Sequence, residues 1–262
     1  MKAGAETHTG LVRPANEDAY CIVPDPAGDY LLLAVADGMG GHEGGEIASA
    51  LALSELGRCV ASRMNDTAAN PIAVLAAAMD SANTAVYRTS VHRLGMSGAT
   101  LGLGMGTTLT SALVVGFRLY IGHVGDSRVY LWRDRQLRLL TQDHSLVAEM
   151  VRDGEIGQDA AEQDPRRHVL TRAVGTQEQV VSDLTSVELN PGDRVLICSD
   201  GLSGVVSEQV LANILETASS CDGAAAALVQ RALEAGGPDN VTAIVLFVTE
   251  KPAGQDAGGR HD

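Results

Sequence analysis

Four aspartates sit where apolar runs stop or start: Asp37 in "AVADGMGG", Asp126 in "HVGDSRVYL", Asp200 in "LICSDGL" and Asp239 in "GGPDNVTAIV". Neighbouring antiparallel strands put the end of one beside the start of the next, so all four carboxylates can gather at one edge of a sheet. Two unit charges ~4 Å apart repel by about 4 kcal/mol at an effective dielectric near 20. Such a cluster is therefore either partly protonated or built around cations. With no His or Cys set beside them the donors are all oxygen, which favours magnesium or manganese over zinc. Taken singly, an Asp-Gly, a GDS or a PDN is ordinary turn chemistry. Only the joint placement points to a metal.

The segment after Asp37 adds to this. Five glycines fall in the eight residues from Gly38 to Gly45, more than a turn requires. A bare backbone at Gly38 can present its carbonyl to a cation, and the segment reads as a metal-binding loop leading into a helix.

The elements that must position these groups alternate. Three-four spacing predicts helices over 45–63, about 70–90, 207–217 and 222–235, with Asn70–Pro71 as a helix start. Strands are expected near 19–23, 30–36, 108–115, 118–124, 128–133, 136–140, 194–199 and 241–248. The gaps between 108 and 140 are too short for parallel crossovers, so these strands form antiparallel hairpins. Strands in antiparallel groups with paired helices imply an α+β layered sandwich. Residues 92–106 read as a glycine-rich connection that fits no dinucleotide fingerprint. Residues 142–180 read as a partly helical surface excursion, and 250–262 as a disordered tail. The folded body would then be one domain, 1–249.

Composition narrows the class. The 262 residues suffice for a substantial core, and no apolar run approaches the ~18 residues of a membrane span. The first residues lack the apolar stretch of a secretory signal, so a soluble, monomeric, cytoplasmic protein with no membrane partner is expected. A net charge of −14 argues against broad nucleic-acid binding. The scattered Cys21, Cys59, Cys198 and Cys221 form no CxxC pair and read as free, buried hydrophobes.

In order, "GLVRPANEDAY", "AVADGMGGHEGGEIAS", "MGTTLTSALV", "HVGDSRVYL", "LTQDHSLV", "LICSDGL" and "GGPDNVTAIV" resemble the metal-dependent Ser/Thr protein phosphatases of type 2C, in their bacterial branch. The resemblance covers nearly all of 5–249. It implies a four-layer αββα sandwich with two central antiparallel sheets and a site at one edge. It also implies two Mn2+ or Mg2+ ions and a bridging water that attacks phosphoserine or phosphothreonine, with a weaker third metal. Carried over, Asp37 bridges the ions, the Gly38 carbonyl completes one of them, Asp200 and Asp239 hold the other, and Asp126 with Asp200 holds the third. Glu17 and Asp18 orient waters, Asn240 supports Asp239, and Arg13 grips phosphate with its planar fork. His42 is the candidate general acid, the alternative being a loop histidine bonded to backbone. His123 reads as structural, while His144 and His168 fall in the excursion, the family's flap. Phosphoprotein substrates, an opposing Ser/Thr kinase and a signalling role follow from the same resemblance. Two rivals remain: a catalytically weak phosphoprotein-binding module on this fold, and a hydrolase of small phosphate esters.

Overall fold

A computed structural model describes residues 1–40, 43–66, 68–97 and 104–249. Strands β1 (Lys2–His8), β2 (Asp18–Pro24) and β3 (Tyr30–Met39) precede the long helices α1 (Glu43–Met64) and α2 (Pro71–Ser97). Then come β4 (Gly106–Thr107), β5 (Leu109–Val115), β6 (Arg118–Val124), β7 (Arg128–Arg133) and β8 (Gln136–Leu139). Short helices α3 (Leu146–Arg152) and α4 (Gln158–Gln163) follow, then β9 (Asp183–Glu188), β10 (Arg194–Cys198), α5 (Asp200–Ser203), α6 (Glu208–Thr217), α7 (Cys221–Glu234) and β11 (Val241–Phe247).

The strands form two sheets, ordered β1-β11-β10-β7-β8 and β2-β3-β5-β6-β9, with β4 paired to β3. Every described pairing is antiparallel. Alternation along the strands then builds the layers. In β3, Leu32, Ala34 and Ala36 join Leu56, Val60, Leu75 and Met79 of α1 and α2 in one apolar cluster. Leu33 and Val35, on the other face, meet Ile197, Ile244 and Leu246 of the opposite sheet. In that second sheet Leu196, Ala243 and Val245 turn outward onto Leu211, Leu228 and Val229 of α6 and α7. Three apolar layers between four structural layers make the αββα sandwich. Strands buried on both faces explain why "YLLLAVA" reads as a continuous apolar run.

Several elements depart from the sequence expectation. Helix α2 continues to Ser97, through the start of the segment expected as a glycine-rich connection. Strands β1 and β9 escape the pattern: both are edge strands, rich in small or polar residues, and only Ala, Val and Leu punctuate them. Strand β3 runs on to Met39, because Gly38 and Met39 pair with Thr107 and Gly106. Asp37 therefore lies inside a strand and not at the start of a loop. The predicted tail, 250–262, lies outside the described residues, the last of which is Thr249.

Candidate active site

Parity places the carboxylates. Odd-numbered residues of β3 face the opposite sheet, as Leu33 and Val35 do, so Asp37 also points into the gap between the sheets. Asp18 of β2 is its direct antiparallel partner, and opposed residues project to the same face. On the other sheet Asp200 follows β10 as the first residue of α5, and Asp239 stands two residues before β11. Asp126 occupies the tight turn between β6 and β7. The fold thus brings Asp18, Asp37, Asp126, Asp200 and Asp239 to one edge, near enough to couple through their charges.

That coupling is unfavourable. Burial, then repulsion from Asp18, Asp200, Asp126 and Asp239, lifts the Asp37 carboxyl well above the ordinary carboxylate range. Burial and Asp200 do the same to Asp126. Asp18 is pushed up to about 7, chiefly by burial, against the opposing pull of hydrogen bonds from Thr242 and Ser199. Those hydroxyls donate to Asp18 Oδ2 at 2.7 Å each, while Oδ1 is buried with no protein partner. An all-oxygen set of crowded carboxylates with an orphaned buried oxygen fits a hard divalent cation. Among the described residues no three His, Cys, Asp or Glu side chains already stand at direct ligation range. The side chains share a field without forming a closed cage, so ligation requires them to draw inward.

Backbone and hydroxyl contacts hold the edge. Thr108 Oγ1 accepts the Asp37 N–H at 2.9 Å, Thr107 Oγ1 donates to the Asp37 carbonyl at 2.9 Å, and Thr108 Oγ1 meets Ser127 Oγ at 2.8 Å. Asn240 ties three segments: Oδ1 accepts the Glu17 N–H at 2.8 Å, and Nδ2 donates to the carbonyls of Thr9 and Ala15. Its own backbone N–H donates to Asp239 Oδ1 at 2.8 Å. Glycine has a steric reason here. A Cβ on Gly38 would collide with the Gly45 carbonyl and the Glu17 carbonyl, and one on Gly45 would collide with the Glu17 carboxylate. These glycines let the first turn of α1 close onto β3 and Glu17.

Arg13 reaches this edge from an exposed loop. Its Nη2 pairs with Asp239 Oδ2 at 2.7 Å, a partner 226 positions away, in place of the near neighbours Glu17 or Asp18. That bond, with the fields of Asp239, Asp37 and Asp200, raises the Arg13 pKa further, so the cation is permanent. His168 Nδ1 stands 3.7 Å from Asp200 Oδ2. His123 is buried and bonded to Thr110 Oγ1 and the Gln142 carbonyl, as a structural histidine should be. His42, the candidate general acid, lies outside the described residues. All four cysteines are free, and all but Cys21 are buried. Sequence reasoning passed over Thr108, Ser199 and Thr242: Ser199 and Thr242 stand close to Asp200 and Asp239 in "CSDG" and "DNVT", while "GTTL" holds no acidic residue to single out Thr108.

A family model described as protein phosphatase 2C matches residues 12–236. The chain belongs to the protein phosphatase 2C family. Among its protein phosphatase 2C relatives, the serine/threonine protein phosphatase PstP of Mycobacterium tuberculosis is 38% identical over 255 residues, 97% of this chain and 46% of that protein. The serine/threonine phosphatase stp of Listeria monocytogenes is 33% identical over 262 residues, 98% of this chain and 100% of that protein. The chain thus spans about half the length of the mycobacterial relative and all of the Listeria one. The crystal structure of the mycobacterial phosphatase superposes with a TM-score of 0.82 at 37% identity, covering 95% of this chain and 99% of that one. A PstP catalytic domain in complex with 2 manganese ions gives 0.80 at 36% identity, covering 95% and 98%. Two antiparallel sheets between helical layers are the protein phosphatase 2C architecture that the sequence resemblance implied.

Proposed function

We propose that this chain hydrolyses phosphoserine and phosphothreonine in proteins with two Mn2+ or Mg2+ ions, a third binding more weakly. The observation that carries the reading is the crowd of mutually repelling carboxylates at one sheet edge, with the Arg13 guanidinium beside it. The PstP domain that binds two manganese ions supports it. When bound, the cations supply Lewis-acid polarisation of the phosphoryl oxygens and an activated water.

The chain's own residues do the rest. Asp37 with the Gly38 carbonyl, Asp200 and Asp239 hold the ions, and Asp126 with Asp200 holds the weaker one. Thr108 fixes the backbone of Asp37, and Ser199 and Thr242 fix Asp18. Glu17 and Asp18 orient water, and Asn240 steadies Asp239. Arg13, exposed and with a planar fork, grips two phosphoryl oxygens and holds the ester against the edge. His42 is the proposed general acid. Substrates are Ser/Thr-phosphorylated proteins of the cytoplasm, set against a Ser/Thr kinase, and the chain acts as a monomer. A pure binding module is disfavoured because Asp37, Asp126, Asp200 and Asp239 are all present.

The test is steady-state hydrolysis of a phosphothreonine peptide with Mn2+ and with excess chelator. Turnover confined to the Mn2+ sample is expected. Equal turnover in chelator, or none in either, overturns the proposal.

A further inference from the structure

Two consecutive residues at the root of the 142–180 excursion grip the Asp126 turn at both ends. After the turn, Arg128 forks onto Asp143, donating to Oδ1 at 2.9 Å and Oδ2 at 2.6 Å. Before it, His144 makes two bonds with Gly125: its N–H donates to the Gly125 carbonyl at 2.7 Å, and its Nδ1 accepts the Gly125 N–H at 3.1 Å. An accepting Nδ1 leaves the proton on Nε2, which donates to Asp183 Oδ2 at 3.1 Å. Arg172 Nη1 in turn bonds Asp183 Oδ1 at 2.7 Å, and the His144 carbonyl accepts the Thr171 N–H at 2.8 Å. Both legs of the excursion therefore meet on one buried residue, 1% exposed.

Gly125 has little room to relax. Its φ of +113° is a conformation that side chains rarely adopt, and a Cβ there would lie 2.6 Å from Thr108. Thr108 is the residue that accepts the Asp37 N–H. Removing the His144 acceptor would leave the Gly125 amide buried and unpaired, a costly state. The nearest relief is rotation of the Val124–Gly125 peptide that carries this N–H, which shifts the backbone entering the turn and with it the Asp126 carboxylate.

We propose that His144 is a positioning residue that acts through the Gly125 amide to aim Asp126, and so sets the affinity of the cation Asp126 holds. The proposal rests on the reading of Asp126 as a ligand. Because the same residue carries both legs of the excursion, the excursion root and the Asp126 turn move as one unit.

The experiment titrates the full chain with Mn2+, counting free ion by electron paramagnetic resonance, for wild type, His144→Gln, His144→Asn and Asp126→Asn. Asn places its amide oxygen where Nδ1 sits and keeps the Gly125 bond. Gln places its nitrogen where Nε2 sits and keeps only the Asp183 bond. Loss of an outer partner typically weakens metal binding 10- to 100-fold. His144→Gln is expected to weaken the loosest Mn2+ roughly tenfold and leave the tighter ions within about twofold, with His144→Asn close to wild type. Equal loss in Asn and Gln marks a packing role and overturns the proposal. If Asp126→Asn weakens the loosest ion and His144→Gln does not, the proposal alone falls. If Asp126→Asn changes nothing, the ligand reading falls and takes the proposal with it. Should His144→Gln fail to fold, Asp183→Ala serves instead: it leaves the Gly125 bond intact, and a tenfold weakening there would also overturn the proposal.

Discussion

Arg13 pairs with Asp239 across 226 positions of sequence, and that contact decides how it should be tested. A side chain held only by a carboxylate could be a lysine, since a point charge serves as well. A side chain that grips two phosphoryl oxygens needs the planar fork. Arg13→Ala is expected to lower kcat/KM for a phosphopeptide by roughly 100-fold, and Arg13→Lys by roughly tenfold. Steady-state kinetics on both variants checks this, and Lys equal to wild type would remove the phosphate role. At this scale the sequence was partly legible. The aspartates stand out because each is set in turn chemistry beside an apolar run. Thr108, Ser199 and Thr242 do not, because a hydroxyl in a strand reads as ordinary β-propensity until its partner is known. The partner of Arg13 was unreadable for the same reason: no spacing rule reaches from residue 13 to 239.

Among the elements, the helical layers were legible because α1 and α2 bury one continuous stripe. Edge strands β1 and β9 were not, since a strand that covers little core carries little apolar signal. The end of β3 was misplaced because glycines suggest a loop, whereas Gly38 is there to let α1 and Glu17 approach a strand. Strand β6 carries a test through His123. Burial first, and His144 second, lower its pKa from 6.5 to about 4. The folded protein keeps it neutral, while the unfolded chain takes up a proton below about pH 6.5. Its contribution is therefore whole above that pH and is lost as pH falls towards 4, about 3 kcal/mol in all. Urea unfolding in chelator should show the stability gap between wild type and His123→Gln narrowing by about 2 kcal/mol from pH 7.5 to 5. A constant gap would mean that His123 takes up its proton as readily in the fold as in the unfolded chain.

On the scale of the whole molecule, the site exists only because two sheets meet. Asp18 and Asp37 come from one, Asp200 and Asp239 from the other, and Asp126 from the turn that crosses between them. Three apolar layers force the sheets together, and the carboxylates at the shared edge resist. A net charge of −14 adds to that resistance. On the proposed function divalent cations would relieve it, and the metal would then join the two halves of the sandwich as well as bind the substrate. The most direct measurement is anomalous diffraction at the manganese edge from crystals grown with Mn2+. Two peaks among Asp37, Asp200 and Asp239, with a weaker one beside Asp126, are predicted. Crystals that carry manganese elsewhere and none at this edge would contradict the account.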